Sequence, residues 1–162
     1  MADIKPSAAA AREEELRQAM ELLYFAYRDF TAEPDAMLAR YDFGRAHHRV
    51  IYFVGRHPQM SVTDLLTILR ITKQSLSRVL SQLVSEGFIV QRPGSRDRRQ
   101  RLLELTPKGV ELERALSETQ RHRIAKAYRE AGSAAVDGFK RVMLGIMSSE
   151  SDRRRFERPP KR

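Results

Sequence analysis

Two helix N-cap signals stand close together in this sequence, and they constrain its fold more than any other feature. Ser61 is followed three residues later by Asp64, whose carboxylate suits the free amides and the positive dipole end of a helix. This pair predicts a short helix over residues 62–69. Thr72 then caps a second helix, which ends at Gly87, a residue suited to a left-handed C-cap. The sequence therefore predicts two helices joined by a tight turn.

A hairpin with a basic tip is predicted directly after the second helix. Residues 88–90 and 102–105 are apolar except for Glu104, and partly β-branched, which is typical of strands. The loop between them carries several arginines around a single acid, Asp97. A lone carboxylate among guanidinium groups can hold one arginine extended, which suits insertion into a narrow minor groove. Helix, turn, helix and two-stranded wing together predict a winged helix-turn-helix.

Helical periodicity surrounds this motif, so the predicted fold class is mainly α with a small β-hairpin wing and about six helices. A single domain is expected over residues 12–150, with the winged helix-turn-helix lobe at 42–105 and helical dimerisation segments at 12–31 and 106–148. Residues 1–11 and the basic tail 151–162 are expected to be disordered. The further predicted helices cover residues 12–30, 43–56, 107–130 and 134–147, with a break at 32–36.

The first helix is apolar almost all round its second half, where Leu16, Met20 and Leu23 lie on one stripe and Leu22 and Ala26 on another. Such a helix must be covered on several sides. In a chain this small, much of that cover would have to come from a second copy. A homodimer is therefore expected.

The charge is concentrated rather than spread. The chain of 162 residues carries 30 Lys and Arg against 21 Asp and Glu, a net charge of +9. Eight basic residues against two acidic ones fall between Arg70 and Arg101. A focused basic stretch of this kind favours nucleic acid as the partner. No apolar run is long enough to span a membrane or act as a signal peptide, so a cytoplasmic, nucleoid-associated location in a bacterium is expected.

Catalytic chemistry is not indicated. The chain has no cysteine, and no carboxylate pair, phosphate loop or Ser/His/Asp set has a spacing that supports catalysis. His47 and His48 are adjacent and point in different directions on a helix, so a metal site is not expected. The sequence predicts no enzyme and no cofactor.

The second helix of the motif is the predicted element for DNA recognition. No acid occurs between Thr72 and Ser85, whereas a merely solvated helix face usually mixes Glu with Lys. Short hydroxyls, amides and two cations can approach phosphates and offer hydrogen bonds to base edges in a major groove. With the wing, the expected DNA-binding residues are Ser61, Thr72, Lys73, Gln74, Ser75, Ser77, Arg78, Gln82, Arg96, Asp97, Arg98, Arg99 and Arg101.

Residues 97–109, DRRQRLLELTPKG, resemble the wing-to-helix signature of the MarR family of bacterial transcription regulators, in which Asp-x-Arg precedes Leu-Thr-x-x-Gly. Residues 61–66 and 83–92 resemble that family too, and residues 47–50 and 72–80 resemble its alphaproteobacterial branch, which includes regulators of cell-wall-remodelling genes. The resemblance implies an obligate dimer built from the first, fifth and sixth helices. It implies that Arg99 enters the minor groove, oriented by Asp97. Gln100 departs from the family pattern, where Ser or Thr is frequent, and so does the arginine-rich tail.

The resemblance also implies an effector crevice for a small aromatic or phenolic acid between the two lobes. Aromatic side chains with one cation could enclose a carboxylated ring there. The alternative is that the same residues belong to the core or to the dimer interface. The candidate ligand-binding residues are Tyr27, Phe30, Thr31, Tyr41, Arg45, His48 and Tyr52.

Two other functions remain open at the level of sequence. A nucleoid-type architectural protein would bind DNA without sequence preference, and Gln74 and Gln82 argue mildly against it. A winged helix that contacts an acidic protein is the second alternative. Competition by unrelated DNA separates the first from a regulator, and failure to shift any promoter DNA would favour the second.

Overall fold

The computed structural model describes residues 7–157. Its helices are α1 (Ala8–Ala39), α2 (Arg45–Arg56), α3 (Val62–Leu69), α4 (Lys73–Ser85), α5 (Pro107–Ala131), α6 (Ser133–Ile146) and α7 (Glu150–Arg153), and its strands are β1 (Met60–Ser61), β2 (Ile89–Pro93) and β3 (Arg101–Leu105). A 3-10 turn at Arg154–Phe156 follows α7. The chain separates into two compact units, Met1–Gln120 and Arg121–Arg162. The mainly helical fold class with a small antiparallel sheet is confirmed.

Helix α1 runs straight through the break that the sequence predicts at 32–36. Pro34 lies inside the helix and is buried. A proline removes the amide that would bond the carbonyl four residues earlier, which belongs to Phe30. The side chain of Gln120, on α5, supplies the missing donor with Nε2 3.2 Å from that carbonyl oxygen. The predicted break is wrong because a distant residue repairs the backbone bond.

Helices α2, α3 and α4 pack with the sheet around one core in the first unit. The capping of α3 and α4 is confirmed, since the Ser61 and Thr72 hydroxyls accept from the amides of Asp64 and Ser75. Gly87 has a positive φ of 80°, as its C-cap role predicts. The side chains buried in this core include Val50, Ile51, Val54, Leu65, Leu76, Leu80, Leu83, Phe88, Ile89 and Leu103.

The wing is part of a three-stranded antiparallel sheet of order β1-β3-β2. Leu103 of β3 lies opposite Met60 of β1 on one side and Gln91 of β2 on the other. The sequence predicts only the two wing strands. β1 has two residues, too few to show a period, and it exists because β3 offers it a pairing edge.

The turn after α4 is fastened to the start of α5. Thr106 Oγ1 donates to the Gly87 carbonyl at 2.6 Å, and Lys108 Nζ lies 2.9 Å from the Glu86 carbonyl and 4.3 Å from the centre of the Phe88 ring. A Cβ on Gly109 would collide with the Phe88 carbonyl. The Leu-Thr-x-x-Gly pattern therefore connects the end of α4 to the start of α5.

The second unit contains the C-terminal part of α5, then α6 and α7. Tyr128 of α5 packs edge-on against Phe139 of α6, with ring centres 6.2 Å apart. Disorder was expected from residue 151 onward, but α7 forms there. The hydroxyl of Ser149 caps it, and Arg154 pairs with Glu150 at 2.8 Å. Residues 158–162 of the expected tail lie outside the described residues.

The expected disorder of residues 1–11 also differs from the structure. Helix α1 begins at Ala8, where the Ser7 hydroxyl accepts from the Ala10 amide at 3.2 Å. This cap satisfies an amide that would otherwise have no partner, and it starts the helix earlier than its apolar stripe does. Residues 1–6 lie outside the described residues.

Candidate nucleic-acid interface

The outward face of α4 is polar, exposed and free of acids. Leu76, Val79, Leu80 and Leu83 bury the opposite face of the helix. This packing fixes which side chains point outward, because residues three or four apart share a face. The outward residues line a shallow groove of about 640 Å³, formed by Gln74, Ser75, Ser77, Arg78 and Ser81. Lys73 is exposed at the start of the helix.

Some of the expected DNA-binding residues at these helices use their side chains in contacts within the chain. Ser61 is buried, and its hydroxyl accepts from the Asp64 amide at 3.0 Å, so it caps the N-terminus of α3. Thr72 accepts from the Ser75 amide and donates to the Ser75 hydroxyl. Gln82 is half-buried, with Oε1 2.7 Å from His47 Nε2. Ser61 and Thr72 thus cap helices, whereas Gln82 is held by His47 through its oxygen.

The wing loop places its arginines at an exposed tip. Arg96, Arg98, Arg99 and Arg101 are all exposed. Gly94 is buried at the base of the loop, where an added Cβ would lie 2.5 Å from the Asp97 carbonyl oxygen. The loop can close this tightly because that position has no side chain.

Asp97 contacts the backbone of the wing loop in the structure. Its Oδ1 accepts from the backbone amide of Arg99 at 2.9 Å, and its carbonyl accepts from the Gln100 amide at 3.1 Å. Asp97 therefore shapes the turn through the backbone. It does not hold the Arg99 guanidinium in the structure. The guanidinium that pairs with an acid on the wing is that of Arg92, 3.5 Å from Glu104.

Four of the expected ligand-binding residues come together between α1 and α2. The Arg45 guanidinium lies 5.6 Å from the centre of the Tyr27 ring and 3.3 Å from the Thr31 hydroxyl. The Phe30 ring is 6.4 Å from that of Tyr27. We call Tyr27, Phe30, Thr31 and Arg45 the Arg45 cluster.

Two residues that sequence analysis does not select also belong to this region. Asp35 lies 3.2 Å from the Arg45 guanidinium, so Arg45 already has an anionic partner. Arg49 donates to the Tyr27 hydroxyl at 3.3 Å. Asp35 and Arg45 stand far apart in the sequence, and no local pattern links them. The sequence predicts a break at 32–36, and the pair forms because α1 instead continues beyond Pro34.

Of the remaining ligand candidates, Tyr41 and Tyr52 lie in other surroundings, whereas His48 is close enough to Asp35 for that charge to act on it. Tyr41 stacks on Phe43 at 5.6 Å and meets Phe88 edge-on at 5.4 Å, on the core of the winged motif. Tyr52 packs edge-on against its neighbour Phe53. Burial lowers the pKa of His48 from its usual 6.5, against the opposing effect of Asp35 and Glu113.

No group of three or more His, Asp or Glu within residues 7–157 is arranged to hold a metal ion. No helix in that range is long and apolar enough to cross a membrane.

Comparison with known proteins identifies the family. The family model described as MarR family matches residues 41–100. The chain is 52% identical over 135 residues to the HTH-type transcriptional regulator PetP of Rhodobacter capsulatus, covering 83% of this chain and 81% of PetP. The chain belongs to the MarR family. This MarR-family chain is accordingly a DNA-binding transcriptional regulator and not an enzyme, as the sequence predicts, and its similarity to PetP agrees with the alphaproteobacterial branch.

Solved structures confirm the fold of the MarR-family chain. It is similar to Streptococcus pneumoniae FabT in complex with DNA, with a TM-score of 0.70 at 18% identity, covering 81% of this chain and 94% of FabT. It is also similar to a mutant MarR from E. coli complexed with operator DNA, with a TM-score of 0.62 at 17% identity, covering 82% of this chain and 96% of that one.

Proposed function

We propose that this MarR-family regulator binds a pseudo-palindromic operator as a homodimer and recognises its sequence, acting on nucleoid DNA in the bacterial cytoplasm. Helix α4 enters the major groove, and the wing tip enters the adjacent minor groove. The observation that carries the proposal is the outward face of α4, which is exposed and acid-free beside a basic wing. Amide and guanidinium groups on that face match the hydrogen-bond pattern of base edges.

The homodimer is supported by apolar side chains that the single chain leaves exposed. On α1, Met20 is 70% exposed and Leu22 is 69% exposed. On α6, Val142 is 62% exposed and Ile146 is 58% exposed. Contiguous apolar helix faces of this kind mark interaction surfaces. Two recognition helices related by a two-fold axis would lie about 34–36 Å apart, one turn of DNA, which is why a pseudo-palindrome is expected.

Modulation by a small aromatic or phenolic acid is the third part of the proposal. The Arg45 cluster supports it, because aromatic rings and a guanidinium stand together between α1 and α2. A ligand can shift DNA binding only by favouring one arrangement of the reading helices over another. An incoming carboxylate would compete with Asp35 for Arg45.

Selection of bound sequences from random duplex DNA tests the proposal directly. A recovered pseudo-palindrome supports it, whereas enrichment without any preferred sequence would favour an architectural protein. Gln74→Ala and Arg78→Ala should each cost about 1–3 kcal/mol on the selected site and less on scrambled DNA. Arg99→Ala should weaken binding to all sequences and lower the salt slope by about one unit.

A further inference from the structure

His47 links the start of α2 to the outward stripe of α4. Its Nδ1 accepts a hydrogen bond from the Gly44 amide at 3.0 Å, and its Nε2 lies 2.7 Å from Gln82 Oε1. The ring also stacks on Phe43, with centres 4.6 Å apart and planes within 11°. The imidazole is therefore held from three sides.

These contacts determine the direction of each hydrogen bond. A backbone amide can only donate, so His47 Nδ1 must accept and carries no proton. A neutral imidazole then has its proton on Nε2, which must donate. Gln82 Oε1 accepts that hydrogen bond, which leaves its second lone pair and the NH₂ group for other partners. Gly44 thus sets the orientation of the Gln82 amide through His47.

Gln82 lies on the stripe of α4 that is proposed to face the bases. It stands four residues after Arg78, which itself stands four residues after Gln74, so the three share one side of the helix. A freely rotating glutamine can bind adenine through its oxygen and nitrogen together. A glutamine whose oxygen accepts from His47 keeps one oxygen lone pair and its NH₂ group for a base, but its amide is held in one orientation.

We propose that His47 is a positioning residue that holds the Gln82 amide in one orientation and so strengthens the base preference of Gln82. His47 thereby contributes to sequence specificity from outside the recognition helix. This inference rests on the proposed function, in which α4 reads the major groove.

The experiment is selection from random duplex DNA with the full-length protein and a set of variants. Gln82→Met identifies the base position that Gln82 reads, because the preference that wild type shows there should be lost in this variant. His47→Phe keeps the ring that stacks on Phe43 but removes both hydrogen bonds. His47→Gln keeps an acceptor for the Gly44 amide, as in a capping box. Both His47 variants should weaken the preference at that position roughly threefold to tenfold, the value of one hydrogen bond.

Two further variants sharpen the test. The double variant His47→Phe/Gln82→Met should show no weaker base preference than Gln82→Met alone, because His47 acts through Gln82. Gln82→Glu can still accept from His47 but has no donor, so its preference should move toward cytosine. Thermal unfolding of each variant confirms that it is folded.

Three results would overturn the inference. They are an unchanged preference in both His47 variants, additive losses in the double variant, and an unchanged preference in Gln82→Met. If Gln74→Ala and Arg78→Ala still relax their own positions, the proposed function stands while this inference fails. If wild-type protein selects no sequence at all, both fail.

Discussion

Gln120 Nε2 donates a hydrogen bond of 3.2 Å to the carbonyl oxygen of Phe30. That oxygen has no amide donor one turn later, because Pro34 occupies the position. The side chain of α5 thus replaces a backbone bond of α1, and the helix extends to Ala39. The extension carries Asp35 to within 3.2 Å of Arg45.

The Gln120 bond should be needed only while Pro34 is present. Gln120→Ala should lower the free energy of unfolding by about 1–2 kcal/mol, since it leaves the Phe30 carbonyl unsatisfied. In a Pro34→Ala background, the new amide can bond that carbonyl, so the same substitution should cost clearly less. Urea unfolding gives the free energy of unfolding of wild type, the two single variants and the double variant, and so the coupling between the two residues. An equal cost in both backgrounds would mean that Gln120 contributes by packing alone.

Asp97→Asn and Asp97→Ala should affect DNA binding in opposite ways. An asparagine oxygen can still accept from the Arg99 amide, so the wing turn is kept while one negative charge near DNA is lost. Asp97→Asn should therefore bind as tightly as wild type or up to about threefold more tightly. Asp97→Ala loses the turn and should bind more weakly.

Fluorescence anisotropy over a range of salt concentrations compares the two Asp97 variants. Weaker binding by Asp97→Asn at every salt concentration would show that the carboxylate charge acts on the arginines themselves. Tighter binding by Asp97→Ala would show that the wing acts only as a diffuse basic patch, without a defined turn.

Leu23→Asp should break the proposed dimer without unfolding the chain. Leu23 is 44% exposed in the single chain, so the substitution leaves the core intact. In a dimer interface, the unpaired charge would cost several kcal/mol. Sedimentation velocity should show a monomer for Leu23→Asp and a dimer for wild type. Gln18→Asp, on an exposed position of the same helix, is the control and should stay dimeric. A monomeric wild-type protein would refute the interface.

Asp35→Asn should raise the affinity for aromatic carboxylates. Asp35 is the present partner of Arg45, and the amide competes less for the guanidinium. The gain should be up to about fivefold, in line with a partly exposed ion pair. Calorimetric titration with a series of hydroxybenzoates provides the measurement. Asp29→Asn removes the partner of Arg28 on α1 and should change nothing. Unchanged affinity in Asp35→Asn would place the effector elsewhere.

Stability should fall on acidification through the titration of His48. Burial lowers its pKa in the folded chain below the usual 6.5, so the unfolded chain binds the proton more readily. The stabilisation that neutral His48 gives to the folded chain is complete above pH 6.5. It is lost as the pH falls below that value. Urea midpoints between about pH 8 and pH 5 should therefore decrease less for His48→Gln than for wild type. Parallel curves for the two proteins would contradict this assignment.

Elements whose signals are local were predictable from the sequence. The caps of α3 and α4, the left-handed Gly87 and the Thr-Pro start of α5 each depend on a few neighbouring residues, and the structure contains them all. Periodicity likewise indicates which face of α4 is buried. These features need only the chain within about one helical turn, so the sequence contains their full cause.

Tertiary structure decided which partner each polar side chain has. Pro34 is tolerated because Gln120 approaches, Gln82 is oriented because His47 lies beside it, and Arg45 is paired because α1 continues to Asp35. β1 forms because β3 has a free edge. Each of these contacts joins residues distant in the chain. A hydrogen bond or ion pair depends on distances that only packing sets, whereas a cap or a helical stripe is already complete in its own segment.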